Sequence, residues 1–129
     1  MNNSLKTLTR LNGWACIGIG VGHVVLGVER SIPGAGQVSP TLESQDAFYN
    51  CVFIGYGLTW LRASQDDRPD RVVEAAAVMA LGGVARLIAA ARRGAPHRLY
   101  VGLTAVEFVV PAVVAALARN EPAAGPFKV

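Results

Sequence analysis

Two consecutive apolar stretches, residues 72–91 (VVEAAAVMALGGVARLIAAA) and 99–117 (LYVGLTAVEFVVPAVVAAL), decide how this chain is read. With their flanks, each reaches the roughly 17–25 residues of helix that cross a bilayer's hydrocarbon core. Each also carries an ionisable residue in its interior, Arg86 in the first and Glu107 in the second. A charge at membrane depth is costly, faces a protein interior or a wet cavity, and tends to be paired. These two residues are therefore the first place to look for function.

Two further apolar runs precede them. Residues 11–28 (LNGWACIGIGVGHVVLGV) follow Lys6 and Arg10, and residues 46–61 (DAFYNCVFIGYGLTWL) form a shorter run that carries Asn50. Between them lies a polar loop, residues 29–45, where Pro33, Gly34, Gly36 and Pro40 exclude one continuous helix. The turn RASQDDRPD follows the second run, with Asp70 expected as the N-cap of the third helix and Glu74 in its first turn. Gly94 and Pro96 terminate that helix. The expectation is an all-α, integral membrane four-helix bundle in a single domain. Its helices fall at about residues 5–29, 45–63, 70–93 and 97–119, with 119–129 as a mobile tail. The basic start of the first run also suits a cleavable signal segment, but its near-spanning length, the interruption by His23 and the apolar runs that follow count against cleavage.

Composition agrees. Hydrophobic residues make up 52% of the 129 and charged residues 16%, against roughly 25% charged in ordinary soluble chains. A soluble bundle needs a charged stripe along each helix, and these helix interiors have none. A net charge of +3, with Arg scattered at apparent helix ends, points to interfacial anchoring and not to nucleic acid. The partner implied is the lipid bilayer. Cys16 and Cys51 sit at different expected depths, so a disulfide is geometrically disfavoured and both read as small apolar fillers. No Cys/His spacing resembles a metal site, and no cofactor is expected.

Four spans place both termini and the second loop on one side, with Lys6, Arg10, Arg62, Arg68, Arg71, Arg119 and Lys128. The other side has Arg30, Arg92, Arg93 and Arg98. That bias favours cytoplasmic termini. Trp14 and Trp60 at one end, and Tyr49 and Tyr100 at the other, occupy the places of an aromatic belt. Counted from the face opposite the termini, His23 lies about seven residues deep, Asn50 about five, Arg86 about seven and Glu107 about ten. Each helix thus offers one polar group to roughly one layer, the expected site, with Gly20, Gly27, Gly82 and Gly83 giving room. Pro111 cannot donate to the carbonyl of Glu107, which leaves an acceptor beside that carboxylate, or simply a kink.

Each polar group has two readings. Arg86 and Glu107 form either a structural ion pair or a site where Arg86 holds an anionic or carbonyl group. His23 is a packing histidine or a proton carrier, and Asn50 is interhelical glue or a ligand contact. Tyr56 reads as packing, Asp46 and Glu29 as solvated groups at the membrane edge, and His97 as a loop residue without special signal.

The ordered set Gly20-x-x-His23-x-x-x-Gly27, Tyr49 with Gly55-x-Gly57-Leu58, Gly82-Gly83-x-x-Arg86, Gly94-x-Pro96 and Glu107-x-x-x-Pro111 resembles a known family. It is a bacterial family of small four-helix membrane proteins, the domain of unknown function numbered 4345, and the resemblance covers about residues 8–118. That family looks similar in helix count to DoxX-like proteins and, more distantly, to sterol isomerases with a polar-lined intramembrane pocket. The resemblance implies a bacterial inner-membrane location and raises an intramembrane ligand pocket, for which the residues read above and their neighbour, His23, Tyr49, Asn50, Arg86 and Glu107, are the expected lining. The ligand expected is lipophilic: a lipid, quinone or sterol-like molecule. An accessory role in a larger membrane protein or a homo-oligomer is the companion reading. The alternatives are an isomerase- or redox-type enzyme using His23 or Glu107 for proton transfer, and a small proton-coupled transporter.

Overall fold

The computed structural model describes residues 1–121, which are helical with no strand among them. Five helices follow in order: α1 (Asn3–Leu26), α2 (Val28–Ser31), α3 (Pro40–Gln65), α4 (Pro69–Arg93) and α5 (Arg98–Arg119). Four are long, and α2 is a single turn. The expected first helix to residue 29 is broken at Gly27, whose φ of +75° ends α1 at Leu26. A glycine in an apolar run reads as a packing residue, but this one supplies the left-handed backbone that only glycine adopts cheaply. The restart is capped from a distance: Glu43 Oε2 accepts from the Val28 backbone N–H at 3.1 Å.

Helix α3 starts well before the expected 45. Ser39 is its N-cap, with Oγ accepting from Leu42 N–H at 3.2 Å, and Pro40 takes the first helical position. Proline there loses no hydrogen bond and arrives with a helical φ, so Pro40 opens the helix it was expected to exclude. The same rule moves the start of α4, where Pro69 opens the helix, Arg68 is the cap residue and makes no side-chain cap bond. Asp70 is not the N-cap; its carboxylate is forked by Arg68 Nε and Nη2 at 2.8 and 2.5 Å. Gly94 closes α4 with φ +90°. His97 caps α5, its Nδ1 accepting from Leu99 N–H at 3.3 Å.

The helices pack as two pairs. Helices α1 and α3 run antiparallel at very short range, because Gly13 and Gly20 of α1 face Gly57 and Asn50 of α3. A Cβ on Gly57 would lie 2.6 Å from the Gly13 carbonyl, and one on Gly20 would lie 2.8 Å from the Asn50 carbonyl. Helices α4 and α5 form the second pair, joined by the short turn at Gly94–His97. The seam between α3 and α4 is looser. The apolar core sits at the end that holds the N-terminus, the α3–α4 turn and the end of α5: Leu5, Trp60, Ala63, Val72, Ala76 and Val114 are buried together. There the Met1 amine and Lys6 Nζ reach Asp67 at 3.0 and 3.2 Å. Their hydrogen bonds, the amine's foremost, hold the Asp67 carboxyl below its ordinary range. Just past α5, Glu121 Oε1 accepts from the Asn2 backbone N–H at 2.6 Å; the rest of the expected mobile tail, residues 122–129, lies outside the described residues.

Large apolar side chains stand exposed along all four long helices, among them Leu11, Val25, Val52, Leu81, Val101 and Val109. By length and composition, α4 and α5 are apolar enough to cross a membrane. Helix α1 carries Lys6, Arg10 and His23, and α3 opens on a polar turn (PTLESQD), so neither stands out in the same way.

Candidate functional site

Away from the apolar core, the interior turns polar, and its groups pair across each helix pair. On α4 and α5, Arg86 Nε shares its hydrogen between the two Glu107 oxygens at 2.8 and 3.0 Å. Gly83 makes that approach possible. A Cβ there would lie 2.9 Å from the Phe108 ring and 3.2 Å from Glu107 Cβ, so only glycine lets α5 close down one turn before Arg86. The guanidinium lies over the Tyr100 ring, 5.5 Å from its centroid, which adds a cation–π contact on its second side. Arg86 is 38% exposed and Glu107 18%, so the carboxylate is the more enclosed partner.

On α1 and α3 the pair is His23 with Asp46, Nδ1 to Oδ2 at 3.2 Å, both mostly shielded. Asp46 is therefore not the solvated edge residue the sequence suggests. The register that sets Gly20 against Asn50 carries His23 opposite Asp46 one turn along. Asn50 is buried, but its amide donates to the Asp46 carbonyl at 2.8 Å in its own helix, so it props α3 and does not reach Arg86. The expected single layer is thus two clusters: His23–Asp46–Asn50, and Arg86–Glu107–Tyr100.

A groove of about 320 Å³ runs along the loose α3–α4 seam. Tyr49, Val52 and Phe53 form one wall, Val78, Met79 and Gly82 the other, and Glu107 contributes the polar group. Of the expected site residues, Tyr49 and Glu107 line this groove; His23, Asn50 and Arg86 do not. Tyr49 is itself 64% exposed, on the rim. Gly82 differs from its neighbour Gly83, since a Cβ there would meet nothing within 4 Å; it keeps the groove wide. Tyr56 closes the groove toward the termini. Its hydroxyl donates across the seam to the Ala75 carbonyl, a role its apolar surroundings in sequence conceal. Chemically, the groove offers an apolar trough and one carboxylate acceptor whose charge is balanced from behind by Arg86. Among the described residues, no group of three or more His, Cys, Asp and Glu is placed to hold a metal ion.

The chain belongs to the family described as a domain of unknown function (DUF4345), whose model matches residues 4–118. No curated protein and no solved structure matches it.

Proposed function

We propose that this is a small integral membrane protein that binds a lipophilic ligand in the α3–α4 groove. The carrying observation is the groove itself, an apolar trough that ends on the Arg86-backed carboxylate of Glu107. Its volume lies at the lower end of the roughly 300–1,000 Å³ typical of small-molecule sites, and its make-up of apolar body and sparse polar groups is theirs too. Glu107 accepts a hydrogen bond from a hydroxyl or similar donor on the ligand. Arg86, already engaged on Glu107 and Tyr100, balances the charge of that carboxylate. All four long helices cross the membrane, as the apolar side chains exposed on each of them support, in a bacterial inner membrane with both termini cytoplasmic.

A proton-transfer enzyme is the second reading, favoured by the His23–Asp46 pair, in which a carboxylate orients an imidazole. Neither residue lines the groove, which places that chemistry away from the bound lipophile. An accessory role in a larger membrane complex competes with both.

Purification in a mild detergent, with mass spectrometry of the co-purifying lipids, tests the groove. The expected result is a specific lipophile retained by the native chain, lost in Gly82→Leu, and kept in Gly18→Leu, since Gly18 also has open space around it but lies on α1. No retained lipophile, together with a stable complex with a larger membrane protein, sinks the groove and leaves the accessory role.

A further inference from the structure

Beyond Tyr56 the seam opens again, into a cleft of about 600 Å³ at the α3–α4 turn. Tyr56 and Val78 line both spaces, so groove and cleft adjoin on either side of the Tyr56 side chain. The lining changes character across that side chain, from apolar walls to Arg62 on α3 and Arg68, Asp70, Arg71 and Glu74 at the start of α4. Arg68 is consumed by the Asp70 fork. Arg62 and Arg71, on opposite walls, make no ion pair among the described residues. With Arg68 and Asp70 paired, these two guanidinium groups outweigh the single Glu74 carboxylate of the cleft, and a net positive mouth on an apolar trough is complementary to an anion carrying a hydrocarbon body, since a planar fork binds carboxylate through paired, charge-assisted hydrogen bonds.

From these observations we infer that the ligand is an anionic single-chain amphiphile, its carboxylate held by Arg62 and Arg71 and its chain laid past Tyr56 toward Glu107. The inference rests on the groove reading above and adds the charged end. Arg71 to Gly82 is eleven residues of helix, about 16 Å, a length that one extended acyl chain covers. The trough has room for one such chain. Its far end meets Glu107, so a chain ending in a hydroxyl satisfies both ends. Tyr56 moves aside for the chain, giving up its bond to the Ala75 carbonyl.

Two probes separate the charged end from the groove: omega-hydroxypalmitate, and hexadecanediol, which keeps the chain and the hydroxyl but has no charge. Binding is measured to the full chain in nanodiscs of neutral phosphatidylcholine. The native protein is expected to bind the hydroxy acid saturably, one per chain, and about tenfold more tightly than the diol. Arg62→Gln with Arg71→Gln should erase that preference while leaving diol binding unchanged. Equal affinity for the two probes, or a preference that survives the double substitution, overturns the anionic assignment and leaves the groove standing. A signal that rises without saturation means attraction to a basic surface and also overturns it. Failure of both probes to bind removes the groove reading with it.

Discussion

Arg86 and Glu107 are the residues whose sequence context announces them, and the structure pairs them through one guanidinium N–H shared by two carboxylate oxygens. Their difference in exposure sets the energetics, because the more enclosed Glu107 is the group that suffers when its partner goes. Removing one member of a buried pair leaves an uncompensated charge, which costs more than the pair itself contributes. Arg86→Ala should therefore destabilise the protein by about 3 kcal/mol, while Arg86→Ala with Glu107→Ala should recover much of the loss. Unfolding of the four corners of that cycle in a defined lipid–detergent mixture measures the coupling. Additive effects would mean that the pair does not hold α4 to α5. His23 tells the opposite story about legibility. It stands out in sequence, yet its partner Asp46 lies on another helix beyond a polar loop, where a carboxylate looks like any solvated edge group. Only the helix register reveals the match, and that register is a property of packing.

Helix interiors, where hydropathy persists over many residues, are readable; helix starts are harder because one residue type serves two ends. Pro40 and Pro69 both open helices, whereas proline scanning in sequence marks mainly where helices stop. Glycine is ambiguous in the same way. Gly27 breaks a helix, Gly57 brings two together, and Gly82 holds a groove open. Their neighbourhoods separate these roles and predict different costs. At Gly57 an added methyl meets the Gly13 backbone, which cannot swing aside, so Gly57→Ala should force α1 and α3 apart and cost about 1–3 kcal/mol. At Gly55, two residues away in the same helix, an added methyl meets nothing within 4 Å. Gly55→Ala should be neutral, or stabilising by up to about 1 kcal/mol through helix propensity. Thermal unfolding of the two variants side by side checks the claim, and equal effects would show that the α1–α3 contact yields more easily than its backbone suggests.

At the scale of the molecule, the interior has two zones: a small apolar core at the end holding the N-terminus and the α3–α4 turn, and paired polar groups toward the other end. Apolar surface lies mainly on the outside, an inside-out arrangement that water tolerates poorly and lipid tolerates well. Helices α4 and α5 are long and apolar enough to cross a membrane by themselves, whereas α1 and α3 are not. They are packed on one another through Gly13, Gly20 and Gly57, and they shield His23, Asp46 and Asn50 between them, so that these polar groups face protein. On the proposed four-span reading, this packing is what lets a helix as polar as α3 cross, although hydropathy singles out only α4 and α5. Topology separates the cases. With Cys16 and Cys51 replaced by Ala, Gln37→Cys reports the α2–α3 loop and Asp66→Cys the α3–α4 turn. If four helices cross, a membrane-impermeant maleimide added to sealed vesicles of one orientation labels only one of these two positions, and the other reacts after the vesicles are opened. If only α4 and α5 cross, both positions lie on the same side and label together, and the four-span reading falls.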